Sequence, residues 1–209
     1  MLRNALNATV RHGSPTDNAV YLTFDDGPDP VYTPRILYAL DRQGARACFF
    51  VLGSACRRHP NLLREVSAAG HDIGVHGMSH DHPWLQSSRR ARAQVADATA
   101  TVAEILGERP RFFRPAYGRR RQATLGEARK QGLTTVLWSR SAMDWGRWGS
   151  ADRIIHRLHR TRPGDILLLH DGRPAHNRCE ATCRVLPGFL QWLASHSLAC
   201  ASLTRLDRQ

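Results

Sequence analysis

The feature that most constrains this chain is an alternation. Short apolar runs end abruptly at polar residues, and a helical pattern follows each one. Residues 19–24 (Ala-Val-Tyr-Leu-Thr-Phe) stop at Asp25-Asp26-Gly27-Pro28, and residues 47–52 (Ala-Cys-Phe-Phe-Val-Leu) form the next run. Further strands are expected over 72–75, 111–114, 133–138, 165–169 and near 198–203. Helices are expected over 33–43, 60–69, 87–106, 122–131, 151–160 and near 182–195, several closed by Gly44, Gly70, Gly107 or Gly132. Thr33 reads as the first helix's N-cap, with Pro34 at its first position. Strands that are apolar on both faces and alternate with helices imply a parallel sheet covered by helices. About seven strand–helix units in 209 residues predict an α/β fold in one domain, residues 1–209 with a core of about 18–205. Either a closing barrel or an open doubly wound sheet satisfies the pattern, and both gather chemistry at the carboxyl ends of the strands.

The unusual residues fall at those ends. Asp25 and Asp26 follow the first strand; adjacent carboxylates repel unless a cation lies nearby, although Asp-Asp-Gly-Pro is also good turn chemistry. His76 and His80 follow the third strand, four apart, a spacing that suits a metal; with 11 His in the chain, and His71 and His82 close by, such a pair also arises by chance. Arg114 ends the fourth strand, Asp144-Trp145 follows the fifth, and His170 ends a run of apolar residues. Two His and one carboxylate with an open position form a hydrolytic metal arrangement, which leaves a carboxylate and a His for acid–base work.

In this order the motifs resemble the polysaccharide deacetylases, the NodB homology domain of carbohydrate esterase family four. Thr23-Phe24-Asp25-Asp26-Gly27-Pro28 matches the family's first motif, and His76-Gly77-Met78-Ser79-His80 carries the two histidines of the second. Arg114-Pro115-Ala116-Tyr117, Asp144-Trp145 and Leu168-Leu169-His170 resemble the third, fourth and fifth. The resemblance implies a distorted, incomplete (β/α) barrel and metal-dependent removal of an N-acetyl group from an amino sugar or short oligosaccharide. By position, Asp26, His76 and His80 would hold the metal; Asp25 would be the base that activates water, oriented by Arg114. His170 would be the acid, its pKa raised by Asp144. The Tyr117 N–H would stabilise the oxyanion, and Trp145 and Leu168 would line the acetyl pocket. Zinc is the expected metal, and such a donor set also accepts cobalt, nickel or manganese. Three positions depart from the usual pattern: Gly77 stands for Ser or Thr, Ala116 for Pro, and Ser141 for Asp.

The same apparatus would serve an O-acetyl esterase or a non-sugar amidase. An inactive carbohydrate- or nucleic-acid-binding relative needs none of Asp25, Arg114, Asp144 and His170. The formal charge of +12 comes from 29 Arg and a single Lys, Lys130, which speaks for genome composition over nucleic-acid binding. The charge still favours acidic partners, and Arg119, Arg120 and Arg121 follow the Tyr117 loop; they read either as a solvated basic turn or as a contact for an anionic amino sugar. No apolar run is long enough to span a membrane. Residues 1–7 do not read as a secretory signal, and five Cys without a disulfide spacing fit a reducing, cytoplasmic setting. Oligomeric state is not encoded in any recognisable pattern.

Overall fold

Strand β1 (Ala19–Asp25) is buried along all seven residues and forms the spine of the sheet. The computed structural model describes residues 9–208, so the N-terminal reading over residues 1–7 lies outside the described residues. The chain continues through α1 (Tyr32–Asp41), β2 (Ala47–Leu52), α2 (Gly53–Arg58), α3 (Pro60–Ala68), β3 (Asp72–Gly77), α4 (Ser88–Leu106) and β4 (Phe112–Phe113). It then forms α5 (Gln122–Lys130), β5 (Thr134–Thr135), β6 (Arg140–Ser141), α6 (Ala151–Leu158), β7 (Ile166–His170), α7 (Cys179–Ser195) and β8 (Ala199–Cys200). The sheet runs β5-β4-β3-β2-β1-β7-β6, with β8 beside the start of β1, and every pairing is parallel. It curls into an incomplete barrel, and the open-sheet alternative falls away.

Alternation along β1 sorts the interior. Val20, Leu22 and Phe24 pack outward with helical residues such as Ile36, Leu40, Phe189 and Leu193. Tyr21 points inward with Cys48, Phe50, Phe112, Val136 and Ile166, and Leu203 joins that inner cluster together with Val10 and Leu206. Thr23 and Asp25 continue the inward row toward the carboxyl end. The barrel is thus apolar at its base and polar at its mouth.

Three expectations change. Of residues 133–138 only Thr134–Thr135 forms a strand, pairing with β4 at one edge; Arg140–Ser141, beyond the expected run, pairs with β7 at the other. The chain between them crosses the barrel's gap. Thr33 does not cap α1, which begins at Tyr32; the Thr33 hydroxyl donates to Asp171 Oδ2 (2.6 Å), and Asp29 Oδ1 accepts the N–H groups of Val31 and Tyr32. The short helix α2 is an addition to the expected elements. Helix α4 matches its reading: Ser87 Oγ accepts from the Arg90 N–H, and Gly107 ends it at φ 74°.

Candidate active site

Adjacent residues of a strand point to opposite faces, so Asp25 and Asp26 could not both face the barrel mouth in regular β geometry. Asp26 breaks the alternation with φ 79°, a left-handed conformation that costs a non-glycine residue about 1–3 kcal/mol. The turn brings both carboxylates against β3. His76 Nε2 lies 3.6 Å from Asp25 Oδ2 and 3.7 Å from Asp26 Oδ1, and His80 Nε2 lies 3.4 Å from Asp26 Oδ1. His76 Nδ1–H donates to the Arg114 carbonyl (2.7 Å), which fixes the ring orientation and turns Nε2 toward the carboxylates. Burial, with His76, Arg173 and His170 nearby, pushes the His80 pKa down to about 2, so its imidazole is neutral.

Asp26 is buried, and its two oxygens differ. Oδ2 accepts from Asn177 Nδ2 at 2.8 Å, whereas Oδ1 has no hydrogen-bond partner. A buried carboxylate oxygen left without a hydrogen-bond partner is costly unless a cation sits between it and the two imidazoles. One ligand atom from each of Asp26, His76 and His80 falls within 4.8 Å of the others. Nitrogen, nitrogen and oxygen donors of this kind fit a divalent transition metal.

Asp25 is held from the other side. Arg114 is fully buried and donates from Nη1 to Asp25 Oδ1 and to Thr23 Oγ1, both at 2.7 Å. Its Nε and Nη2 reach the carbonyls of Val136 and Leu137 at 3.2 Å each, in the segment that crosses the gap. Phe50 lies under the guanidinium, 4.0 Å from ring centre to Cζ. One oxygen of Asp25 is therefore locked, and Oδ2 faces His76 Nε2 in the Asp26, His76 and His80 donor cluster.

His170 is the register partner of Asp25 on the neighbouring strand β7. Its Nδ1–H donates to Asp144 Oδ1 (2.7 Å), while Asp144 Oδ2 accepts the His170 N–H (2.8 Å) and the Thr182 hydroxyl (2.7 Å). Burial alone would lower the pKa of His170; the Asp144 carboxylate, by charge and hydrogen bond, and then Asp26 and Asp25, raise it to about 9. Trp145 stands edge-on to His170, with ring centres 5.5 Å apart.

These groups line one cavity of about 640 Å³, with Tyr117, Trp138, Trp145, Leu168 and His170 on its walls. Tyr117 has φ 56° and packs edge-on against His80 at 4.3 Å. All ten residues singled out from the sequence therefore meet in or directly behind one site. His82 also lines the cavity, although its ring contacts Tyr117 and it stands outside the Asp26, His76 and His80 donor cluster. Of the three consecutive arginines only Arg119 lines the cavity; Arg121 binds the carbonyls of Pro83 and Gln86 and serves structure. Trp138, Arg173, His176 and Asn177 escape sequence reasoning, since each is an isolated residue of a common type with no spacing pattern. Cys179 donates to the Gly172 carbonyl, and burial pushes its thiol pKa up, so it is no nucleophile.

The polysaccharide deacetylase family matches residues 12–136, more than half of the chain. The chain belongs to this family. A chitooligosaccharide deacetylase of Bradyrhizobium is 41% identical over 162 residues, 75% of this chain and 72% of that protein. A peptidoglycan-N-acetylglucosamine deacetylase of Bacillus cereus is 36% identical over 158 residues, 75% of this chain and 74% of that protein. A solved peptidoglycan N-acetylglucosamine deacetylase in complex with an N-hydroxybenzamide has a TM-score of 0.89 at 29% identity, covering 96% of this chain and 92% of that one. A family 4 pseudoenzyme from Bacillus anthracis shares the fold, with a TM-score of 0.86 at 24% identity over 96% of this chain and 69% of that one. Membership in the polysaccharide deacetylase fold thus does not carry activity, and the side chains must.

The three departures from the family's usual pattern now have physical accounts. Gly77 has φ 112°, and a Cβ there would lie 3.2 Å from the Ser79 carbonyl oxygen. Support for the ligand loop comes instead from Gln94 on α4, which accepts the Ser79 N–H and donates to Ser79 Oγ, both at 2.8 Å. Ser141 Oγ accepts the Met143 N–H at 3.0 Å, a turn contact that a carboxylate would also make. Ala116 is buried, and its loop is closed by Gly118 N–H to Pro115 O and Arg119 N–H to Ala116 O.

Proposed function

We propose that this polysaccharide deacetylase hydrolyses an N-acetyl group from an amino sugar or short oligosaccharide. The observation that carries the reading is the separation of two proton-transfer groups around one donor cluster. Asp25 is held by Arg114 with one oxygen free, and His170 is held by Asp144 on the next strand. Asp26, His76 and His80 would hold a divalent cation, with zinc as our choice. When bound, the cation supplies Lewis-acid polarisation of the amide carbonyl and lowers the pKa of water.

Asp25 Oδ2 takes the proton from the attacking water. Arg114 keeps that carboxylate oriented, because Oδ1 is committed to the guanidinium. The N–H of Tyr117 donates to the oxygen on which charge develops. Protonated His170 gives its Nε2 proton to the departing amine. A pKa of about 9 keeps it charged at neutral pH, which an amine leaving group needs more than an alkoxide does. Leu168 and Trp145 line the wall that would take the acetyl methyl.

We read the chain as one catalytic domain. Arg119 on the cavity wall supports a substrate bearing an anionic group. All five thiols are free, which supports a reducing, cytoplasmic setting; among the described residues, no helix is long and apolar enough to cross a membrane. Acetate release from N-acetylated chito-oligosaccharides, acetylated xylan and a nucleotide sugar tests the reading. Chelator-sensitive release from an N-acetyl substrate is expected; release from acetylated xylan alone would replace it with an esterase.

A further inference from the structure

Asp26 can offer Oδ1 to a cation only if its carboxylate is kept from rotating, and one side chain is built to do this. Asn177 is buried, and both amide hydrogens are used: Nδ2 donates to Asp26 Oδ2 and to the Gly172 carbonyl, each at 2.8 Å. The opposite amide orientation would set its oxygen against two acceptors, so the donor assignment is forced. Arg173 Nη1 adds an ion pair to the same oxygen at 3.6 Å, too long to set its direction as the Asn177 hydrogen bond does.

The backbone around Asn177 is tied to the other half of the site. Asn177 forms an antiparallel bridge with Trp145, the Arg178 N–H donates to the Asp144 carbonyl (2.7 Å), and the Gly146 N–H donates to the His176 carbonyl (3.3 Å). Residues 176–178 therefore join the loop that carries Asp144 and Trp145 to the carboxylate of Asp26. We infer that Asn177 is a positioning residue that fixes the Asp26 carboxylate for cation binding and sets it in register with the Asp144–His170 pair. This rests on the metal role proposed for Asp26. Groups that orient a ligating carboxylate change metal affinity by about 10–100-fold when lost.

The test is a Zn²⁺ titration of Asn177→Ala and Asn177→Ser against a chromophoric chelator, with Co²⁺ absorption spectra of the same proteins. Folding of each is checked by circular dichroism. We expect the Kd for Zn²⁺ to rise about 10–100-fold, the Co²⁺ bands to shift, and most turnover to return at saturating metal. Thr182→Val, which alters Asp144 on the far side of the same strap, should leave the Kd unchanged. If Asn177→Ala fails to fold, the Ser variant decides. A Kd within about twofold of the parent and unchanged Co²⁺ bands in a folded Asn177 variant overturn the inference. A parent protein that binds no Zn²⁺ would instead sink the metal role of Asp26.

Discussion

Asp144→Asn isolates what sets the pKa of His170. The substitution keeps the shape of the side chain and its reach to Thr182 while removing the charge that faces Nδ1. Burial, the largest influence on His170, is then opposed only by the lesser charges of Asp26 and Asp25. The His170 pKa should fall from about 9 to 6.5 or below, a change of about 3 kcal/mol between its two protonation states. At pH 8 the protonated fraction would drop from about nine-tenths to about 3%, roughly a thirtyfold loss of the acid form, whereas at pH 6 the loss is under about twofold. The assay is kcat/KM against pH from 5 to 10 on an N-acetylated chito-oligosaccharide. The parent's basic limb should lie near pH 9 and the variant's near neutrality. A basic limb at the same pH in both proteins would refute the argument. Stability follows the same sign. A folded-state pKa above the unfolded value of 6.5 contributes stability in full below that pH and loses it as pH rises through about 9. The Tm gap between parent and variant should therefore close on the alkaline side.

Asp25→Asn should bind Zn²⁺ like the parent and lose turnover on the order of a hundredfold or more; near-normal turnover would place the base elsewhere. His80→Ala should lose most bound Zn²⁺ by equilibrium dialysis, while His82→Ala should keep it, since only His80 belongs to the donor cluster. Gly77→Ser, which installs the family's usual hydroxyl, should destabilise the fold by about 1–3 kcal/mol in denaturant titration, because φ is 112° and the new Cβ crowds Ser79 O. An unchanged midpoint would mean that the loop relaxes freely.

The strand ends are legible in the sequence because packing alone gives no reason for a buried apolar run to finish on an isolated charge or imidazole. β1, β2 and β7 are buried along their whole length, and Asp25 and His170, which end β1 and β7, meet in the cavity. The same logic misreads residues 133–138. Apolarity there reports burial across the barrel gap, with Val136 in the inner cluster, and says nothing about which carbonyls find strand partners. Thr33 misleads for a related reason: an N-cap signal and a hydroxyl bound to a distant buried carboxylate look alike in one dimension. Asn177 is invisible in the sequence, since its meaning comes from a neighbour 151 positions away in the chain. Helix α2 spans six residues, too few for periodicity to declare it.

Arg114 carries two duties in one side chain. Two of its nitrogens satisfy carbonyls that the missing strand pairing leaves open, and another holds Asp25. Exchanging Asp25 for a neutral residue would strip this fully buried guanidinium of its counter-charge while the seam still depends on it. Loss of the arginine would strand buried carbonyls whatever the fate of the reaction. One guanidinium thus closes the barrel and steadies the carboxylate at its mouth, so neither duty can be altered without disturbing the other.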